Sequence, residues 1–157
     1  MNRRPKKRLK ILIANGVNLD LLGVREPHIY GSDTLDDMKK LLRLFIVKWK
    51  KKAANPAIDL VFFQTNSEER FLMEIGKGYA GAIINAGAWT HTSLAIADRL
   101  KGVCLPYVEV HVSNLKKREA FRQNSFLKDN AVAVVAGKGI KGYEVGLIKL
   151  LRHLSAG

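Results

Sequence analysis

Glu109 and His111 stand two apart in the run Val103–His111 (VCLPYVEVH). On an extended strand, residues i and i+2 point to one face, so a carboxylate lies beside an imidazole. Such a neighbour fixes the ring's tautomer or raises its pKa, which prepares a general acid; the same pair also serves as a plain structural ion pair. His91, in Thr90-His91-Thr92-Ser93, falls at an expected helix start, where it can exchange a hydrogen bond with a ligand hydroxyl. Arg25 and Tyr30 share a long polar segment punctuated by Gly23, Pro27 and Gly31. A tyrosine there is commonly a surface anchor, and with a cation beside its oxygen it could serve as a base. Asn18 and Asn85 are amides at expected strand ends, suited to holding a carboxylate or polarising a ketone. Arg118 and Arg122 are four apart on an expected short helix and can face one way, either as a solvated face or as a clamp on an oxygen-rich ligand.

Other chemistries lack their residues. There is no Gly-x-x-x-x-Gly-Lys-Ser/Thr phosphate loop, and Gly137-Lys138-Gly139 is only a fragment of a dinucleotide motif. No Cys/His cluster has metal-ligand spacing, and no Gly-x-Ser-x-Gly elbow appears. The expected chemistry rests on side-chain acid and base, with no cofactor and no metal.

The elements that must position these residues alternate along the chain. Lys10–Ala14 reads as a buried strand ended by Asn15-Gly16, and Gly16–Asp33 as a long polar loop, functional or disordered. Thr34-Leu35-Asp36-Asp37 has the pattern of a helix start, followed by Leu35, Met38, Leu41, Leu42, Phe45 and Trp49 at helical spacing. Strands are then expected at Ile58–Phe63, Gly81–Asn85, Val103–His111 and Ala131–Ala136, with helices at Glu68–Ile75, Thr92–Leu100 and Ile140–Leu154. Ser113–Phe126 reads as short helix or loop. This alternation calls for a parallel sheet with helices on both faces, in the flavodoxin-like order 2-1-3-4-5. In such sheets ligands bind beyond the carboxyl ends of the strands, which is where Asn18, Asn85, Glu109 and His111 fall.

The chain has 157 residues, which fits one α/β domain over residues 9–157 preceded by a basic, disordered arm at 1–8. Lys plus Arg is 27 against 14 for Asp plus Glu, a net charge of +13. Six of those cations lie in the first ten residues; without them the balance is 21 against 14. Lys48 and Lys50–Lys52 stand where a helix should end, and cations suit that end of the dipole. The charge also admits an RNA-binding reading, although no aromatic-rich RNA motif accompanies it. A single cysteine, Cys104, excludes an internal disulfide and reads as a small core residue of the fourth strand. No apolar run reaches the roughly 20 residues of a membrane span, and Ile11–Ala14 is too short for a signal-peptide core. A cytoplasmic location is expected.

Five blocks of this sequence resemble type II 3-dehydroquinate dehydratases: Asn15–Gly23 (NGVNLDLLG), Arg25–Gly31 (REPHIYG), Asn85–Ser93 (NAGAWTHTS), Glu109–Asn114 (EVHVSN) and Arg118–Arg122 (REAFR). The likeness runs from Lys10 to about Leu151. Departures are Val17 and Asp20 in the first block, Thr65–Glu69 after the second strand and Gln123–Phe126. The resemblance implies dehydration of 3-dehydroquinate to 3-dehydroshikimate by anti elimination through an enolate, in aromatic biosynthesis or quinate breakdown. It implies that Tyr30 is the base and that Arg25 makes it competent. A tyrosine pKa of about 10 would fall by up to roughly three units beside a cation about 4 Å away at an effective dielectric of about 20, with desolvation opposing. Asn18 would hold a water that stabilises the enolate. His111, aided by Glu109, would protonate the departing hydroxyl. Asn85 with the backbone of Val112 and Ser113 would bind the carboxylate, and His91 and Arg122 the ring hydroxyls. Asp98, seven residues after His91 and expected on the same helix face, would reach a neighbouring subunit's site in a dodecamer built from trimers. The rivals are a catalytically inactive flavodoxin-like binding module and a basic RNA-binding protein.

Overall fold

The computed structural model describes residues 8–51 and 56–156. Strands β1 (Arg8–Asn15), β2 (Ala57–Gln64), β3 (Gly81–Asn85), β4 (Tyr107–His111) and β5 (Ala133–Ala136) form one parallel sheet. Its order is β2-β1-β3-β4-β5, as the alternation of elements requires. The helices are a four-residue turn α1 (Pro27–Tyr30), then α2 (Leu35–Lys50), α3 (Glu68–Ile75), α4 (Leu94–Gly102) and α5 (Lys141–Ala156).

Each face of the sheet buries its own cluster. Ile11, Ile13, Ile83, Val108 and Val110 pack with Met38, Leu42 and Ile46 of α2 and Leu147, Leu150 and Leu151 of α5. Leu12, Ala14, Ala82, Ile84 and Tyr107 pack with Phe71 and Ile75 of α3 and Ile96 and Leu100 of α4. The central strands are therefore apolar on both sides, as a doubly covered parallel sheet demands. Helix α2 begins at a capping box: Thr34 Oγ1 accepts from the Asp37 amide at 3.2 Å, and the Thr34 amide donates to the Asp37 carboxylate at 3.0 Å.

Four expectations need correcting. The fourth strand starts at Tyr107, four residues later than expected. The amides of Val103, Cys104 and Leu105 donate to carbonyls of Arg99, Lys101 and Leu100 at the end of α4, and Pro106 has no N–H to give a ladder. Cys104 consequently lies in a turn with φ 50° and is exposed, outside the core. His91 closes a 3-10 turn, Gly87–His91, and Ser93 caps α4 by accepting from the Ile96 amide, so His91 and Asp98 share no helix. Arg118 and Arg122 sit on either side of a break, the first after the turn Leu115–Lys117 and the second inside the turn Ala120–Arg122. The basic arm lies outside the described residues except for Arg8, which opens β1 and pairs with Asp59 at 2.9 Å.

Helix α5 seats on the sheet through glycine. A Cβ built at Gly146 would stand 3.1 Å from Val110 and 3.3 Å from Val108, so the helix axis approaches β4 more closely than a branched residue allows. Gly146→Leu should lift α5 and destabilise the domain by about 1–3 kcal/mol, read as a lower urea midpoint. An unchanged midpoint would show that α5 is seated by other contacts.

Candidate active site

The loops at the carboxyl edges of β1 and β3 interlock. The Gly16 amide donates to the Asn85 carbonyl at 2.7 Å, and a Cβ at Gly16 would fall 2.4 Å from the Ala86 carbonyl oxygen. Asn18, next along, takes left-handed backbone angles (φ 64°, ψ 6°), which cost energy outside glycine. It is held there by its amide, which donates to Asn66 Oδ1 at 2.8 Å. Asn66 in turn donates to the Asp20 carboxylate, and Gln64 donates to the Gly16 carbonyl. Asp20, a departure noted in the sequence, thus ties the first block to the end of β2.

Asn85 is pinned from the other side. Its Nδ2 donates to the Tyr143 hydroxyl at 2.8 Å, and its Oδ1 accepts from the Gly87 amide at 3.2 Å. Tyr143 donates onward to Asn15 Oδ1 at 2.6 Å. Burial pushes the Tyr143 phenol pKa far above its ordinary value, so it remains a neutral donor. Asn15 and Asn85 are register partners on adjacent strands, and one helix residue orients both. The helical stripe of α5 shows Tyr143 as core; only its partners reveal the polar link.

On β4, Glu109 is 0 % and His111 5 % exposed. Three groups converge on Glu109 Oε1: His111 Nε2 at 2.8 Å, Ser125 Oγ at 2.6 Å and Thr90 Oγ1 at 2.5 Å. Burial acts to raise the Glu109 pKa; the hydrogen bonds from His111, Ser125 and Thr90 outweigh it, and the net value lies below the ordinary carboxylate range. An anionic Oε1 only accepts, so His111 Nε2 carries a proton and Nδ1 is the ring atom left for a ligand. His91 is oriented in the same way: its Nδ1 meets the Asn124 carbonyl at 2.6 Å, and because a carbonyl only accepts, that nitrogen is protonated.

Tyr30 closes α1. Pro27 at the first helical position and Gly31 beyond the end (φ 80°) delimit that turn. Arg118 Nη1 donates to Tyr30 Oη at 2.8 Å, and this bond is the first cause of an Arg118 pKa above its ordinary value. Arg25 lies over the Tyr30 ring at 5.9 Å from its centroid while its Nε donates to Glu26 at 3.1 Å. The cation in contact with the phenol oxygen is thus Arg118, which the sequence had grouped only with Arg122. The separation of 88 residues along the chain hides the pair.

Asn18, Arg25, Tyr30, Asn85, His91, His111, Val112, Ser113, Arg118 and Arg122 line one cavity of about 150 Å³. Val112 and Ser113 are fixed by their carbonyls, which accept from Gly139 and Gly137 at 3.1 and 3.0 Å. Glu109 lies beneath His111, behind the cavity wall. Asp98 lies elsewhere, exposed on α4 in a shallow groove with Met73 and Val103. A cavity with a phenol and an imidazole, ringed by three arginines and amides, can move protons on an anionic, hydroxylated molecule.

The profile of a family described as dehydroquinase class II matches residues 9–151. A 3-dehydroquinate dehydratase of Alkalilimnicola ehrlichii is 45% identical over 149 residues, covering 92% of this chain and 93% of that protein. A catabolic 3-dehydroquinase of Botryotinia fuckeliana is 46% identical over 142 residues, covering 88% of this chain and 89% of that protein. The crystal structure of a type II dehydroquinase from Butyrivibrio crossotus superposes with a TM-score of 0.82 at 34% identity, covering 91% of this chain and 97% of that one. With the cavity residues distributed over the blocks that carried the resemblance, and with the profile and whole-length relatives in agreement, this chain belongs to the class II dehydroquinase family.

Proposed function

We propose that this chain dehydrates 3-dehydroquinate to 3-dehydroshikimate by anti elimination through an enolate, with Tyr30 as base and His111 as acid. The observation that carries the reading is the pairing across one cavity: a phenol oxygen held by a guanidinium, and an imidazole held by a buried carboxylate. Removing a proton next to a ketone requires a base whose anion is favoured and a group that stabilises the enolate. Arg118 at 2.8 Å and Arg25 over the ring supply positive charge at Tyr30, and Asn18 faces the cavity to hold a water at the enolate oxygen. The hydroxyl then leaves with a proton from His111 Nδ1. Asn85 with the backbone of Val112 and Ser113 takes the substrate carboxylate, while His91 and Arg122 take ring hydroxyls. A cytoplasmic location suits a chain with one cysteine. Among the described residues, no helix is long and apolar enough to cross a membrane.

Asp98 does not reach the cavity of its own chain. We assign it to a neighbouring subunit's site in a dodecamer of trimers, supported by its exposed place on α4 beside the exposed apolar Met73 and Val103. Asp98→Ala should lower turnover while a mixture with an otherwise intact, His111→Ala chain regains part of it; a fully active Asp98→Ala protein would end this assignment.

Tyr30→Phe should abolish turnover in an ultraviolet assay for the conjugated product, with the fold retained by circular dichroism. Arg118→Ala should lower kcat by roughly the 1.5–3 kcal/mol of a charge-assisted hydrogen bond, about ten- to a hundredfold. Arg25→Ala, without that contact, should cost less. Equal losses in the two arginine variants would show that contact with the oxygen is not what matters.

Among the described residues, no lysine lines the cavity, which supports a route without a Schiff base. Borohydride with substrate should leave activity intact, and mass spectrometry showing substrate fixed to a lysine would overturn the enolate route.

A further inference from the structure

We infer that Thr90 and Ser125 are positioning residues of the acid half of the site, holding Glu109 as an anion aimed at His111 Nε2 and so fixing His111 Nδ1 as the proton donor. The inference rests on the reading of His111 as the acid and deepens it. Each hydroxyl has a single proton to donate. Ser125 Oγ accepts the Leu127 amide at 3.0 Å, which turns its proton toward Glu109 Oε1 at 2.6 Å. Thr90 Oγ1 is nearer still, at 2.5 Å. The two hydroxyl oxygens are themselves 2.9 Å apart. Two protons cannot serve three contacts, so with both given to Glu109 this third approach follows from two donors crowding one acceptor.

The arrangement excludes a proton from either carboxylate oxygen. On Oε1 it would face three donors. On Oε2, which is buried with no protein partner among the described residues, it would be a hydroxyl with no protein acceptor, an expensive state in the interior. The titratable groups beside Glu109 are His111 and Tyr107 on its own strand. Ile84 of β3 and Val134 of β5 flank it in register, and Thr90 and Ser125 meet it without charge. Tyr107 donates its own proton to the Leu127 carbonyl. Among the described residues, the two hydroxyls are therefore the neutral groups that donate to the anion. They also tie two chain segments together: the Phe126 amide donates to the Thr90 carbonyl at 2.9 Å, so the stretch that bears Arg122 returns to the turn that bears His91.

The test is kcat and KM across pH for Thr90→Val, which keeps the shape and removes the hydroxyl, Ser125→Ala and Thr90→Ser, with His111→Ala as benchmark. Thr90→Val and Ser125→Ala should lower kcat about tenfold with KM nearly constant. Glu109 then protonates more readily, so the acid limb of the kcat profile should move to higher pH by about one unit. Thr90→Ser should recover most of both effects. Unshifted acid limbs, or a Thr90→Ser variant as impaired as Thr90→Val, would show packing alone and overturn the inference. Full turnover by His111→Ala would remove the acid assignment itself, and this inference with it.

Discussion

A fully buried carboxylate in the middle of β4, Glu109, is the constraint on which the rest of the site depends. Taking a carboxylate out of water is costly unless donors replace the water. Glu109 finds its donors on three separate pieces of chain: His111 two residues on, Thr90 in the turn after β3, and Ser125 in the segment before β5. Satisfying one charge thus brings together the turn bearing His91, the strand bearing His111 and the stretch bearing Arg122. The wall of the cavity that bears His111 is assembled around a buried carboxylate that does not line the cavity.

The side of the cavity that bears Tyr30 is built on the opposite principle. Tyr30, Arg25 and Arg118 are partly exposed: Tyr30 ends the short turn bounded by Pro27 and Gly31, Arg25 stands just before that turn, and Arg118 follows the turn that ends at Lys117. Their geometry comes from charge and aromatic contact, with Arg118 donating to the oxygen and both guanidinium groups near the ring. Guanidinium pairs with Glu26 and Glu119 orient the two arginines; such half-exposed pairs contribute little stability but limit where the cations can point.

Between the halves, Tyr143 carries order from the helix layer into the site. Its hydroxyl joins Asn15 and Asn85 across neighbouring strands, three residues before the close approach of α5 to β4 at Gly146. The interlock of Gly16 with Ala86 does the same for the two loops above the sheet. Packing in the body of the domain is thereby converted into the direction of an amide in the cavity.

The sequence alone determined the sheet order, the two-sided core and the place of the site, because hydrophobic period, helix caps and glycine breaks are local signals and a parallel α/β chain has few ways to bury its strands. It also placed Glu109 beside His111, since alternation along a strand needs no tertiary knowledge. Its errors came where local signals mislead. Val103–Pro106 is apolar and reads as strand, yet the end of α4 takes those amides and leaves Cys104 outside; His91 and Asp98 have helical spacing, yet Ser93 caps the helix between them. Only the tertiary structure decided that Arg118 meets Tyr30, that Thr90 and Ser125 meet Glu109, and that Tyr143 meets two asparagines. Those partners are from 16 to 128 residues apart, and a hydrogen bond between distant residues leaves no periodic trace in a single sequence; its direction is set by how the layers pack.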